Sequence, residues 1–330
     1  MLILAKSVFA MMIGFIIAVV LGLIIIPFLK KLKLNQRISI YVGDTHHKKA
    51  GTPTMGGLIF VGATLITMVT FLIFDKVALT DNLFIVLMVF IGYAFLGFLD
   101  DYLSIKKEDN EGLTTLQKLF GQFIIALLFY YIFMRSGAEP LLWVHTLGIK
   151  IDLKWLYGVF ILLMLVGMSN AVNITDGLDG LAAGLSVLGF MALGLISWGA
   201  GWLMGHEDIA IFCFVLCGSL MGFLLFNTNP ARVFMGDMGA LALGATMAAI
   251  AILAHYEITI LIVGGVFIIE IMSVIIQYTS IKLRRKKVFL MSPLHHHFEE
   301  LGWTEGDIVK LFWVVGLLLA MISITFGVWI

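Results

Sequence analysis

Ten apolar runs, each close to the length of a membrane-crossing helix, constrain this chain more than any other feature. They lie near 3–29, 55–74, 81–99, 119–134, 155–172, 178–198, 209–226, 239–254, 258–281 and 308–328. A helix needs about 20 residues to cross the hydrocarbon core of a bilayer. At that depth the backbone must pair within its own segment, which a helix does. The runs therefore predict an all-α, polytopic integral membrane protein of about ten transmembrane helices. Of the 330 residues, 61% are hydrophobic and 13% charged. Soluble domains carry about 45–50% and 25%, so this chain has too little polar surface to face water on all sides. A soluble enzyme, a disordered chain and a disulfide-built scaffold are excluded. The net charge of zero offers no field for nucleic acid.

The first run is about twice the length of a signal-peptide core. It has no small-residue cleavage site and is followed by Lys30 and Lys31, so it reads as a retained span. Cys213 and Cys217 fall on one helix face and read as small packing residues. No repeat or linker interrupts residues 1–330, which read as a single domain.

Lys and Arg set the expected orientation. With both termini outside the cytoplasm, the inner loops hold Lys30, Lys31, Lys33, Arg37, Lys48, Lys49, Lys106, Lys107, Lys118, Arg232, Lys282 and the Arg284–Lys287 run. Few basic residues remain outside, as the positive-inside rule requires. The same inner loops collect Asp100, Asp101, Asn173, Asp176, Asp179, Asn227, Asp237 and most of the histidines. The active site is thus expected at the cytoplasmic face. The outer segment 135–154 alternates apolar and polar residues around Leu147-Gly148, which predicts a small hairpin.

Five polar constellations carry the chemistry, and each has a plainer reading beside it. Asp100-Asp101 ends the third run, where the negative end of a helix makes paired carboxylates doubly unfavourable. They form either a solvated loop start or a site for Mg²⁺ or proton transfer, since Mg²⁺ takes oxygen ligands from one or two carboxylates and from phosphates. Asp176 and Asp179 could be an N-cap and a capping-box acid, which leaves Asn170 and Asn173 without a structural task. Asp237 could cap the eighth span, yet Gly236 beside it allows close backbone approach to an anion. Phe234 could stack on a base or anchor at the interface. The run His295-His296-His297 cannot point one way and lacks a zinc spacing, but suits phosphate binding or acid–base work. Lys48 and Lys49 precede Thr54, a candidate cap for the second span, and could hold a diphosphate or only set topology. Glu270 lies in mid-span, where an ionisable group calls for a partner inside the bundle; Gln277 follows two turns on.

Carboxylates, lysines and histidines gathered at one membrane face are the equipment of Mg²⁺-dependent phosphoryl transfer to a lipid-borne phosphate. The segments KKAGTPTMGG (48–57), GFLDDYLSI (97–105), SNAVNITDGLDGLAAG (169–184), NTNPARVFMGDMGALALG (227–244) and SPLHHHFE (292–299) carry a specific resemblance. The chain resembles the polyprenyl-phosphate N-acetylhexosamine-1-phosphate transferase superfamily, in the branch that handles phospho-MurNAc-pentapeptide. Ala240 stands where such proteins often have Ser.

The resemblance implies transfer of phospho-MurNAc-pentapeptide from UDP-MurNAc-pentapeptide to undecaprenyl phosphate, giving UMP and lipid I, in a homodimer of the bacterial cytoplasmic membrane. It implies that Asp237 binds Mg²⁺, that Asp100 and Asp101 form the acidic pair of the reaction centre, and that His295 opens a catalytic histidine run. Lys49, Asn173, Asp176, Asp179, Asn227, Phe234 and His296 would line the nucleotide-sugar site, with Phe234 on uracil and Lys118 near the phosphates. Thr54, Gln277 and His297 complete the expected substrate-binding set. A phosphate monoester has a second pKa of about 6, so the acids are expected mainly to position Mg²⁺ and the attacking phosphate. Three rivals stand beside this reading: a sister enzyme moving GlcNAc-1-phosphate, a polytopic transporter, and an intramembrane aromatic prenyltransferase. The histidine run and KKAGTPTMGG argue against the first. The crowding of acids into loops argues against the second, and the histidine run against the third.

Overall fold

The computed structural model describes residues 2–32, 51–107, 112–144, 147–200 and 205–329. In chain order the elements are α1 (Leu2–Lys31), α2 (Gly57–Ile73), α3 (Asp81–Lys106), α4 (Thr115–Arg135), β1 (Leu141–Val144), β2 (Ile149–Asp152), α5 (Leu156–Thr175), α6 (Leu181–Gly199), α7 (His206–Asn227), α8 (Gly236–Leu253), α9 (Ile260–Val263), α10 (Gly265–Arg284), α11 (Leu294–Glu300) and α12 (Glu305–Ile324). Among the described residues, 9 helices are long and apolar enough to cross a membrane. The remaining expected span, α2, has 17 residues, or about 26 Å of helix. The ninth run divides at Gly264 into α9 and α10.

Small residues decide which helices sit at the centre. In α8 (GDMGALALGATMAAIAIL) 89% of the most apolar window is buried, and in α7 83%. A methyl group at Gly97 of α3 would collide with the Asp237 carbonyl, and one at Gly244 of α8 with the Met168 carbonyl of α5. Both contacts therefore bring backbone against backbone. The Gly218/Gly222 spacing serves α7 in the same way, seating it on Met11, Phe15 and Ala18 of α1. Helices α1 and α4 are peripheral, with 28% and 22% of their windows buried. Their outward faces carry Phe9, Ile16, Phe120 and Phe123, which suits contact with lipid tails.

The expected hairpin is present. β1 pairs antiparallel with β2, with Trp143 opposite Lys150 and the Lys150 Nζ 4.0 Å from the indole centroid. It lies between α4 and α5, while the polar motifs gather at the other end of those two helices. There the last turns of α3, α5 and α7 meet the first turns of α4, α6 and α8.

Candidate active site

Asp100 and Asp101 lie inside α3, not at its end. The apolar run stops at 99, but the helix continues through polar residues to Lys106, so the expected clash with the helix terminus is relieved. Compensating charge comes instead from the first turns of α4. Lys118 Nζ is 2.7 Å from Asp100 Oδ2 and 2.8 Å from Asp237 Oδ2. Asn173 of α5 donates its amide to Asp237 Oδ1 at 2.8 Å, and the Leu113 N–H donates to Asp100 Oδ1 at 2.6 Å. The carboxyls of Asp100 and Asp237 also contact each other. Four helices thus bring two carboxylates, an ammonium and an amide to one point.

Asp101 does different work. Its two oxygens accept the backbone N–H groups of Asp237 and Met238, each at 3.1 Å, and so cap α8 from a neighbouring helix. The residue before that helix, Met235, offers no side-chain cap. Gly236 must adopt φ +76°, and a Cβ there would stand 2.6 Å from Asp101 Oδ2 and 2.9 Å from Thr54 Oγ1. Only glycine fits this position without strain. The plainer reading of Asp237 as a local cap does not hold: its side chain faces Lys118 and Asn173. Thr54 likewise does not cap α2, whose N-cap is Gly56 without a side-chain bond. Thr54 is buried against Gly236.

The capping reading of Asp176 and Asp179 also fails. Asp176 closes α5 as its C-cap, and Gly180, with φ +80°, precedes α6. Asp179 reaches across to the loop after α7, accepting the Ala231 N–H at 3.0 Å and the Asn229 amide at 3.3 Å. Glu305, at the start of α12, pins both partners. It accepts the Asp179 N–H at 2.7 Å and the Asn229 amide at 2.8 Å. Asn227, the last residue of α7, donates to the Val233 carbonyl of that loop at 3.0 Å, leaving its buried Oδ1 without a partner. Phe234 is half-buried, and its backbone pairs with Pro53 and Gly56.

The three histidines diverge as expected. His295 is buried against Glu270, the Nδ1–Oε2 distance being 3.1 Å. His296 engages Glu299, and His297 Nδ1 accepts the Leu290 N–H at 3.2 Å. Gln277 spends its amide on the loop that follows α10, accepting from Val288 and Phe289 and donating to the Phe289 carbonyl. Lys49, with His46, His47 and Lys48, lies outside the described residues. Sequence reasoning missed Glu305, Asn229 and the identity of the Glu270 partner. Asn229 sat within a motif already singled out, but Glu305 is marked only by the capping threonine before it.

Among the described residues, no three His, Cys, Asp or Glu side chains form a ready metal cage. A Mg²⁺ site needs less, since it takes one or two carboxylates and completes its shell with waters and substrate phosphates. Asp100 and Asp237 already close on one cation, the Lys118 ammonium, and this donor set suits a hard divalent ion.

The helical bundle and this cluster define a polytopic membrane transferase. A family model described as Glycosyl transferase family 4 matches residues 83–255, which span Asp100 to Asp237. A second, described as Phospho-N-acetylmuramoyl-pentapeptide-transferase signature 1, matches residues 49–61. The chain is 47% identical over 323 residues to the phospho-N-acetylmuramoyl-pentapeptide-transferase of Geobacillus kaustophilus, covering 98% of each chain. It is 48% identical over 324 residues to that of Geobacillus sp. strain WCH70, again 98% of each, and 46% over 322 residues to that of Shouchella clausii. The chain belongs to the phospho-N-acetylmuramoyl-pentapeptide-transferase family.

Proposed function

We propose that this protein transfers phospho-MurNAc-pentapeptide from UDP-MurNAc-pentapeptide to undecaprenyl phosphate, releasing UMP and forming lipid I. The observation that carries the chemistry is the closure of Asp100 and Asp237, from two helices, on the single ammonium of Lys118. The choice of donor and acceptor is supported by the full-length likeness to transferases of that name.

An oxygen of the lipid phosphate attacks the sugar-bearing phosphorus of the donor. A new diphosphate bond forms, and the bond to the UMP phosphate breaks. Asp237, with Asp100 opposite, would hold Mg²⁺, which when bound neutralises charge on the diphosphate and on departing UMP. Lys118 pairs with the same two carboxylates and stands ready to move its charge onto a phosphate oxygen. Asp101 keeps the first turn of α8 in place, so the Asp237 carboxylate stays aimed at the site. Asn173 fixes the other oxygen of Asp237. The loops joined by Asp179, Asn229 and Glu305 form the wall for the nucleotide-sugar, with Asp176, Asn227, Phe234, His296 and His297 along it. Lys49, Thr54 and Gln277 belong to its rim.

In this reading residues 1–330 form one domain of the bacterial cytoplasmic membrane. Both termini face outward, the site faces the cytoplasm, and two copies associate as a homodimer. The test is UMP release by detergent-purified protein given Mg²⁺, undecaprenyl phosphate and either UDP-MurNAc-pentapeptide or UDP-GlcNAc. Release with the muramoyl donor alone, abolished by EDTA, is expected. Release with UDP-GlcNAc would move the protein to the sister activity.

A further inference from the structure

Glu270 lies in the second turn of α10, wholly buried in a predominantly apolar span. An ionisable side chain at such depth is costly and calls for a function. Both of its oxygens converge on one residue. Oε1 accepts the backbone N–H of His295 at 3.1 Å, and Oε2 lies 3.1 Å from the His295 Nδ1. A carboxylate that is ionised can only accept, and a ring nitrogen facing one then carries the proton. The imidazole is thereby held in one orientation, with Nε2 at the far side.

That Nε2 is buried and has no hydrogen-bond partner. It packs against Gly177, where any Cβ would collide with the ring. Gly177 itself is exposed, so Nε2 waits one residue beneath the surface. The segment covering it runs from Asn173 in the last turn of α5, which holds Asp237, to Asp179, which holds the loop after α7. A ring nitrogen fixed from behind by a carboxylate and left unpaired in front is the arrangement by which a carboxylate sets a histidine's tautomer for its reaction partner.

We propose that Glu270 is a positioning residue for the transfer reaction. Its carboxylate fixes His295 with Nδ1 protonated and aims Nε2 at the Asn173–Asp179 segment, where the nucleotide-sugar donor meets it. This rests on the function proposed above. Glu270 touches no substrate; it acts through His295.

The experiment pairs ¹⁵N-histidine spectroscopy with kinetics on the full-length protein in detergent, using His295→Asn to assign the His295 signals. In the wild type, His295 Nδ1 is expected to carry the proton. Glu270→Gln keeps the shape but offers an amide N–H toward Nδ1, and kcat for UMP release should fall about 10- to 100-fold, as for lost orienting partners elsewhere, with little change in donor KM. Glu270→Asp, which keeps the charge but leaves a gap, should retain more activity than Glu270→Gln; a packing role alone would reverse that order. In the His295→Asn background, Glu270→Gln should cost nothing further. A bare Nδ1 in the wild type, full activity of Glu270→Gln, or additive losses in the double variant would overturn the proposal. Absence of UMP release by the wild type from any UDP-sugar would instead overturn the function reading, while the Nδ1 measurement would still decide the orientation.

Discussion

Asp237 is held by three other helices at once. Asp101 of α3 takes its backbone N–H, and Lys118 of α4 and Asn173 of α5 take its carboxylate. Removing its charge should therefore act on the reaction while leaving the fold. Asp237→Asn is expected to lower kcat by about 10²- to 10³-fold, the usual cost of losing one preorganised electrostatic group, with an unchanged unfolding midpoint. Gly236→Ala should do the opposite first. Its φ of +76° costs a residue with a Cβ about 1–2 kcal/mol, and the added carbon presses on Asp101. A lower unfolding temperature in detergent, together with lost activity, is the expected outcome; a variant as stable as the wild type would contradict this account of the turn. The acids themselves were legible as an acidic group in the sequence. Their division of labour was not, because Asp100, Asp101 and Asp237 differ only in partners more than a hundred residues away, or in the neighbouring loop.

Helix positions were read from hydrophobic runs, and these mark where the chain meets lipid. They do not mark where a helix stops. Hence α3 was expected to end near 99 and instead reaches Lys106, carrying Asp100 and Asp101 within it. Local cap signals are misleading in the same way at Asp179, whose long-range bonds to Ala231, Asn229 and Glu305 are visible only once the loops meet, and at Thr54, which lies against Gly236 instead. Glu305 ties the start of α12 to two of these loops. Glu305→Ala loses two hydrogen bonds, each worth about 1 kcal/mol net. Donor KM should rise several-fold with kcat little changed, measured by UMP release over a range of donor concentrations. An unchanged KM would remove these loops from the donor site. Between α1 and α7, Gly218→Leu would drive a side chain into the Met11 carbonyl. Overpacking of this kind costs about 1–3 kcal/mol, and the yield of folded protein should drop.

For the whole molecule, the distribution of Lys and Arg predicts that the 282–287 loop and the hairpin lie on opposite sides of the membrane. Single cysteines test this directly, because the native Cys213 and Cys217 are wholly buried. Lys286→Cys should react with an impermeant maleimide only after the membrane is opened, and Leu147→Cys should react in intact cells. The reverse pattern would invert the topology and place the site outside.

The most direct test of the central claim is mass spectrometry of the lipid product formed from undecaprenyl phosphate, UDP-MurNAc-pentapeptide and Mg²⁺, with wild type and Asp237→Asn assayed side by side. A lipid diphosphate bearing MurNAc-pentapeptide is expected from the wild type, and little or none from the variant or in the presence of EDTA. The same product formed at an undiminished rate by Asp237→Asn would contradict that claim.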